Sequence, residues 1–271
     1  MHPYHMLLVL LASYASANMF SDVVRTVGFA NSTDHSYRYC SCCGYHHTTK
    51  KPFRPKRTRK DAMCPRCQSL ERHRMSCAFF GTFPSLLVQP DDSPFRLLHF
   101  GPHSRMDKVI SSLHQVDHIR IDYFAEGYTS STYNRDTYFG DITKLTLFDN
   151  FADGAIVLHV LEHLVELAPA LNELYRVLKR NAWLLVEVPC MRRDHTGSKP
   201  CLGNMTKEER HQCSGQFDHF WSYDCVDFEK QVINHGFSCQ KAKDMISDML
   251  TPEAVTKFRL GSGRMFLCRK L

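Results

Sequence analysis

After its N-terminal segment the chain has no apolar run approaching the ~18 residues that a membrane-spanning helix requires, so no later segment builds an integral membrane protein. It also lacks a long polar or repetitive tract. With 23% charged and 43% hydrophobic residues, its composition is that of a folded globular protein rather than a disordered one. Charge of one sign does not dominate either, because the net charge is only +6. At 271 residues there is room for one sizeable core and a small appendage, since single cores saturate near ~250 residues.

Lys, Arg, Asp and Glu are all missing from the first 21 residues. There Met6-Leu-Leu-Val-Leu-Leu-Ala12 and Ala15-Ser-Ala17 fit two readings. One is the hydrophobic region and small-residue cleavage site of a secretory signal peptide, with only His2 and His5 for positive charge. The other is a packing helix that turns Leu7, Leu8, Leu11 and Ala15 to one face. The first reading sends the chain to the secretory pathway; the second leaves it in the cytoplasm. Residues 1–38 are therefore taken as a separate hydrophobic segment.

What the chain does have in quantity is cysteine, twelve in all. Five lie between Cys40 and Cys67, and seven are scattered singly. Cys40-Ser-Cys-Cys43 and Cys64-Pro-Arg-Cys67 make two C-x-x-C pairs with twenty residues between them, which is zinc-ribbon spacing. Two such turns supply the four thiolates, Cys40, Cys43, Cys64 and Cys67, that a structural Zn²⁺ prefers, with Cys42 left over. The alternative is a set of redox-active or disulfide-paired cysteines, favoured if the signal peptide is real. Between the pairs runs Lys50-Lys-Pro-Phe-Arg-Pro-Lys-Arg-Thr-Arg-Lys60. This basic loop fits RNA or another anionic partner, or is simply a solvated loop; its single aromatic offers little stacking surface. After the second pair a helix is expected, with Ser69 as its cap. Residues 39–75 form this zinc-ribbon-like module and helix start.

From residue 95 on, short apolar runs alternate with amphipathic stretches, the signature of βα units and a parallel sheet. Strands are expected at Arg96–Phe100, His118–Asp122, near Tyr138, at Gly154–His159, at Trp183–Val188 and, late, at Met265–Arg269. Helices are expected at Met106–Leu113, Leu164–Leu178 and Val226–His235. The fold class is α/β: a Rossmann-like, doubly wound, mostly parallel sheet. Ligands of such sheets sit at the carboxyl ends of the strands. Four strand ends stand out. Phe100-Gly101 follows the first, where glycine lets a backbone approach a ligand. Asp122 follows the second at the spacing of a ribose-binding acid. In Gly140-Asp-Ile-Thr143, Asp141 is suited to an adenine amino group and Ile142 to its ring. His159-Val-Leu-Glu-His163 follows the fourth.

Phe151-Ala-Asp-Gly-Ala-Ile-Val-Leu-His-Val-Leu-Glu-His163, with Leu174-Tyr-Arg-Val-Leu-Lys179 and Leu184-Leu-Val-Glu-Val-Pro189, resembles the class I methyltransferases of the type 11 kind. The resemblance spans about residues 95–242. Cys64-Pro-Arg-Cys-Gln-Ser-Leu-Glu-Arg-His-Arg74 and Gly215-Gln-Phe-Asp-His219 are similar to a subgroup in which a zinc-ribbon-like module precedes that domain. The resemblance implies a methyltransferase domain over 95–271 with an insertion at about 189–224, and S-adenosylmethionine at the strand ends. Phe100 and Gly101 would lie near its methionine portion, Asp122 on the ribose, Asp141 and Ile142 at the adenine, and His159 beside it. The chain departs from the family at the first strand, which usually ends in an acidic residue and two or three glycines; here only Gly101 is kept. It departs again at Trp221, where the subgroup often has a basic residue.

Methyl transfer needs close positioning and, for acceptors that are not already nucleophilic, a base. His219 is the first candidate and His159 the second. Phe217, Phe220, Trp221 and Tyr223 suit either a water-excluding lid or the core of the insertion. His159-x-x-Glu162-His163 also matches the pattern of inverted zinc proteases, but His159 ends an apolar strand-like run, so the two histidines would not share a helix. The competing function is a catalytically inactive methyltransferase-like protein that uses its zinc module to bind protein or nucleic acid.

Overall fold

The structure is a computed structural model that describes residues 39–46, 53–56, 59–91, 93–102, 104–111, 113, 115–123, 136–192, 196–247 and 264–271. The N-terminal hydrophobic segment and part of the basic run lie outside the described residues. Two compact units emerge. One holds the described residues up to Pro84 together with Ile246 and Ser247; the other holds those from Ser85 to Met245 with the C-terminal strand.

The first unit opens with two antiparallel hairpins, β1 (Tyr39–Cys40) with β2 (Tyr45–His46) and β3 (Arg54–Lys56) with β4 (Arg59–Met63). Each is too short to carry a core of its own, and the buried cluster of Cys40, Phe53, Cys64 and Cys67 supplies one. The helix that follows, α1 (Glu71–Thr82), has Leu70 rather than Ser69 at its N-cap. Ser69 is fully buried, and its hydroxyl oxygen lies 3.1 Å from Cys40 Sγ and 3.2 Å from Cys67 Sγ. The thiols have taken the hydroxyl that would otherwise cap the helix. The Leu70 N–H donates to His73 Nδ1 instead, at 3.2 Å. Arg74 is buried without exposure, donating to the carbonyls of Ala62 and Ser69. Cys42 is not left over: it is disulfide-bonded to Cys77 on α1.

The second unit runs through β5 (Phe95–Phe100), α2 (Ser104–Ser111), β6 (Val116–Asp122), β7 (Thr137–Phe139), β8 (Ala152–Leu158), α3 (Ala168–Val177) and β9 (Leu178–Glu187). It continues through β10 (Cys190–Arg192), β11 (Lys199–Pro200), α4 (Lys207–Ser214), β12 (Trp221–Asp224), α5 (Cys225–Asn234), β13 (Phe237–Lys241) and β14 (Met265–Lys270). Its seven-stranded sheet has the order β13-β14-β9-β8-β5-β6-β7. The strands from β5 to β9 pair in parallel; β14 and β13 complete one edge antiparallel. This is the expected Rossmann-like sheet. The chain leaves β5 for β6 on one side and returns to β8 on the other, so the topological switch point lies between β5 and β8.

Sequence explains most of these boundaries. In α3, Ala170, Leu171, Leu174 and Val177 are buried at helical spacing against the sheet. The helix starts at Ala168, later than the expected Leu164, because Pro169 is tolerated only in a first turn. Asp224 caps α5 by accepting from the N–H groups of Val226 and Asp227, a contribution of about 1 kcal/mol. Gly154 in β8 has no substitute: a Cβ there would stand 2.6 Å from the Trp183 ring. Strand β13 was not anticipated, since only Phe237 of its five residues is fully buried.

Three further disulfides brace this unit. Cys190–Cys225 ties β10 to the start of α5, Cys201–Cys213 ties the segment after β11 to α4, and Cys239–Cys268 links opposed positions of β13 and β14. The cysteines that look scattered in the sequence are thus paired in space. Each such bond typically stabilises a fold by ~2–4 kcal/mol.

Beneath the sheet edge, His118 on β6 shares a 3.1 Å hydrogen bond with His99 on β5, and Asp107 and Arg120 stand beside it. Burial, reinforced by the Arg120 charge, pushes the His118 pKa down to about 4. The unfolded chain therefore binds the proton more readily than the folded one between pH 6.5 and 4. Stability is full above the unfolded value and falls with pH through that window, by about 3 kcal/mol from this residue. Urea unfolding of the wild type and His118→Gln across this range checks it: the variant should show a shallower acid slope, and equal slopes would contradict the assignment.

Candidate functional site

The ends of β5, β6 and β8 meet at the switch point. Phe100 is buried, and Gly101 turns the chain with φ +57°. Its N–H donates to Ile121 O at 3.0 Å. A Cβ at Gly101 would come 2.9 Å from Val160 Cγ2, so the loops after β5 and β8 touch only because this residue is glycine. Asp122 ends β6, and its carbonyl accepts from the Gly140 N–H at 3.0 Å. Asp141 closes an Asx turn, with Oδ1 accepting from Thr143 N–H at 2.8 Å and from the Thr143 hydroxyl at 2.7 Å. Ile142 is 4% exposed and packs in the main core.

His159 follows β8 in the left-handed region, φ +57°, a conformation costing ~1–3 kcal/mol that persists where its surroundings hold it. Its N–H donates to Glu187 O at 2.9 Å. Its ring lies between two carboxylates, Nδ1 at 3.1 Å from Glu162 Oε1 and Nε2 at 3.6 Å from Glu187 Oε1. Burial opposes charge on this imidazole, but hydrogen bonds and charges from Glu162 and Glu187 outweigh it and push the pKa up to about 9. Glu162 is fully buried. Burial works against its ionisation, yet the hydrogen bond and charge of His159 hold its carboxyl below the usual range.

Leu161–His163 form a short 3-10 turn, so His159 and His163 do not share an α-helix and the protease geometry is missing. His163 reaches the other way, with Nδ1 3.0 Å from Asp218 O. His219 joins the group, its ring edge-on to His163 at 4.8 Å between centroids and its Nε2 4.0 Å from Glu162 Oε1. Desolvation pushes the His219 pKa down. One backbone bond, Phe220 N–H to Glu162 O at 2.8 Å, holds the two segments together.

The two candidate histidines of the sequence thus belong to one cluster, and its organising residues, Glu162 and Glu187, were missed. A signal existed: Glu187 is a lone charge inside the apolar run Leu184-Leu-Val-Glu-Val-Pro189.

A methyltransferase-domain family profile matches residues 107–186, which covers β6 to β9 and the His159–Glu162 turn. Over that stretch the chain is similar to a methyltransferase domain. Solved structures similar to the chain include the YcgJ protein of Bacillus subtilis, at 13% identity over 71% of this chain and 97% of that one, TM-score 0.46. A putative methyltransferase of Bacillus halodurans is 13% identical over 71% and 98%, TM-score 0.41. An S-adenosylmethionine dependent methyltransferase of Mesorhizobium loti is 14% identical over 72% and 100%, TM-score 0.43. Among curated proteins none matches.

In the second unit the aromatic residues divide. Tyr223 is fully buried and Trp221 packs against the core with Nε1 donating to Val165 O, whereas Phe217 is half exposed. Tyr223 and Trp221 are therefore core.

In the other unit, Cys40, Cys43, Cys64 and Cys67 are free thiols whose sulfurs all lie within 4.8 Å of one another. Cys40 and Cys67 are 3.6 Å apart, Cys43 and Cys64 3.7 Å. Four thiolates bound at ~2.3 Å around a tetrahedral zinc have sulfurs ~3.8 Å apart, so these four fit one. Hydrogen bonding with Cys43, then with Cys64 and Cys67, pushes the Cys40 thiol up, while the bond from Cys40 pulls Cys67 down. Four crowded sulfurs share protons until a cation neutralises them. Alkylation of the denatured, chelator-treated chain without reductant should label these four and leave the other eight unlabelled. Labelling at Cys42, Cys77 or any of the remaining six would contradict the pairing.

Proposed function

We propose that the chain transfers a methyl group from S-adenosylmethionine bound at the carboxyl ends of β5, β6 and β8. The observation that carries this is the convergence of Gly101, Asp122 and His159 on the topological switch point of a parallel sheet, within and beside the matched methyltransferase segment. S-adenosylmethionine supplies a methyl group on a positively charged sulfur, ready for in-line displacement. The protein's own part is positional. Gly101, free of a Cβ, lets the backbone approach the cofactor's methionine portion, and the Asp122 carboxylate accepts from the ribose hydroxyls. Asp141 keeps its Oδ1 on Thr143, so its other oxygen is the one offered to the adenine amino group; Ile142 supports that loop from the core.

His159, held charged between Glu162 and Glu187, fixes the turn beside the cofactor rather than taking a proton. Burial favours the neutral form of His219, the state in which a nitrogen lone pair is available. In the first unit, Cys40, Cys43, Cys64 and Cys67 hold a structural zinc ion, with Ser69 hydrogen-bonded to the sulfurs around it.

Calorimetric titration of the folded, zinc-loaded chain with S-adenosylmethionine tests this reading. Saturable binding is expected, and Asp122→Ala should weaken it ~10–100-fold, the worth of a charged hydrogen bond of ~1.5–3 kcal/mol. Absence of binding would favour the inactive, binding-module alternative, and unchanged affinity in the variant would contradict the ribose assignment.

A further inference from the structure

The histidine cluster contains more ligand chemistry than methyl transfer requires. One atom each from Glu162, His163 and His219 lies within 4.8 Å of the other two, a separation that one ion can bridge. Glu162 is 0% and His219 8% exposed. Even so, among the described residues Glu162 Oε2 and His219 Nδ1 have no hydrogen-bond partner. Leaving a buried donor or acceptor unpaired costs ~1–3 kcal/mol, more when the group is charged. Two such groups in one cluster leave hydrogen-bonding and coordinating capacity for a water or a cation to take up.

The surrounding contacts orient the three residues as outer partners orient metal ligands. His159 holds Glu162 through Oε1 at 3.1 Å, leaving Oε2 over. The Asp218 carbonyl accepts from His163 Nδ1 at 3.0 Å, which puts the proton on Nδ1 and the lone pair on Nε2. Among the described residues, ion pairs to Glu162 come from imidazoles alone, and the positive charge of one of them, His159, is shared with Glu187.

We propose that Glu162, His163 and His219 bind a divalent transition-metal ion, in a site separate from the four-cysteine cluster. Two imidazoles and a carboxylate suit first-row ions such as Mn²⁺, Fe²⁺, Co²⁺ or Zn²⁺. Three protein ligands leave coordination positions open, as in catalytic rather than structural sites. The role of the ion, though not its binding, rests on the methyltransferase reading. At the end of β8 it would polarise an acceptor hydroxyl and lower its pKa, so that the proton passes to solvent water, the oxygen attacks the methyl carbon, and the carbon–sulfur bond breaks to leave the neutral thioether S-adenosylhomocysteine. His219 then acts as a ligand, and the acceptor class is a hydroxyl compound.

The test is a titration of the full chain, zinc already in its cysteine cluster, with Mn²⁺ followed by electron paramagnetic resonance. Mn²⁺ prefers oxygen and nitrogen to thiolate, so it reports the new site. About one equivalent should bind, and Glu162→Gln and His219→Ala should each weaken binding at least ~10-fold, at or above the loss seen for outer partners of metal sites. Because Glu162 is fully buried, His163→Ala, at a ring 32% exposed, serves as the variant least able to disturb folding; its melting temperature and zinc content should match the wild type. Failure of the wild type to bind either Mn²⁺ or Co²⁺ beyond its cysteine-bound zinc would overturn the proposal, as would undiminished binding in a folded His163→Ala. S-adenosylmethionine calorimetry on the same chelated and reloaded samples separates the two readings. Cofactor binding without metal binding removes the ion alone, and metal binding without cofactor binding removes the methyltransferase reading and with it the ion's role.

Discussion

A carboxylate with no exposure to solvent, Glu162, is the constraint around which the second unit's site is arranged. Burying an ionised carboxyl costs several kcal/mol unless it is paired and hydrogen-bonded. The partner is His159, which reaches it only because the backbone after β8 turns into the left-handed region. That same imidazole touches Glu187 at the end of β9, so two adjacent strand ends are locked through one ring. The Glu162 carbonyl in turn holds the Phe220 amide, which fixes His219 against the cluster. Removing the Glu162–His159 side-chain pair would leave only the backbone bonds from His159 N–H to Glu187 O and from Phe220 N–H to Glu162 O to hold these segments to the turn after β8.

Cysteine divides along the same lines of chemistry. Eight residues form disulfides that tie short strands and helices to their neighbours, and four remain as thiols close enough to share one ion. Persistent disulfides belong to oxidising surroundings. Thiols bound to a metal are withdrawn from that chemistry, because the ion holds the lone pairs an oxidant would attack. Free and disulfide-bonded cysteines coexist within one hairpin turn: Cys40 and Cys43 face the other free sulfurs while Cys42, between them, bonds to Cys77.

The sheet was legible from the sequence because buried parallel strands are short apolar runs, and β5, β8 and β9 read that way, whereas β6 alternates polar and apolar residues and buries only Ile121. The C-x-x-C spacing likewise announced the four-sulfur cluster. Three features were not legible, each for a physical reason. The disulfides join residues 12 to 35 positions apart, and spacing alone does not specify partners. Ser69 has the chemistry of a helix cap, but nearby thiols compete for its hydroxyl. The roles within His159-x-x-Glu162-His163 depend on a strand ending in a 3-10 turn, which sends His159 toward β9 and His163 toward Asp218. Periodicity does not report that divergence.

In the proposed function the carboxyl ends of β5, β6 and β8 form one cofactor-binding surface. Amide hydrogen–deuterium exchange with and without saturating S-adenosylmethionine tests it most directly, because it maps where the ligand orders the backbone. Slowed exchange is expected at Gly101, at Gly140–Thr143 and at His159–His163, with the four-cysteine unit unchanged. Protection confined to residues 39–84, or none at these three strand ends, would contradict it.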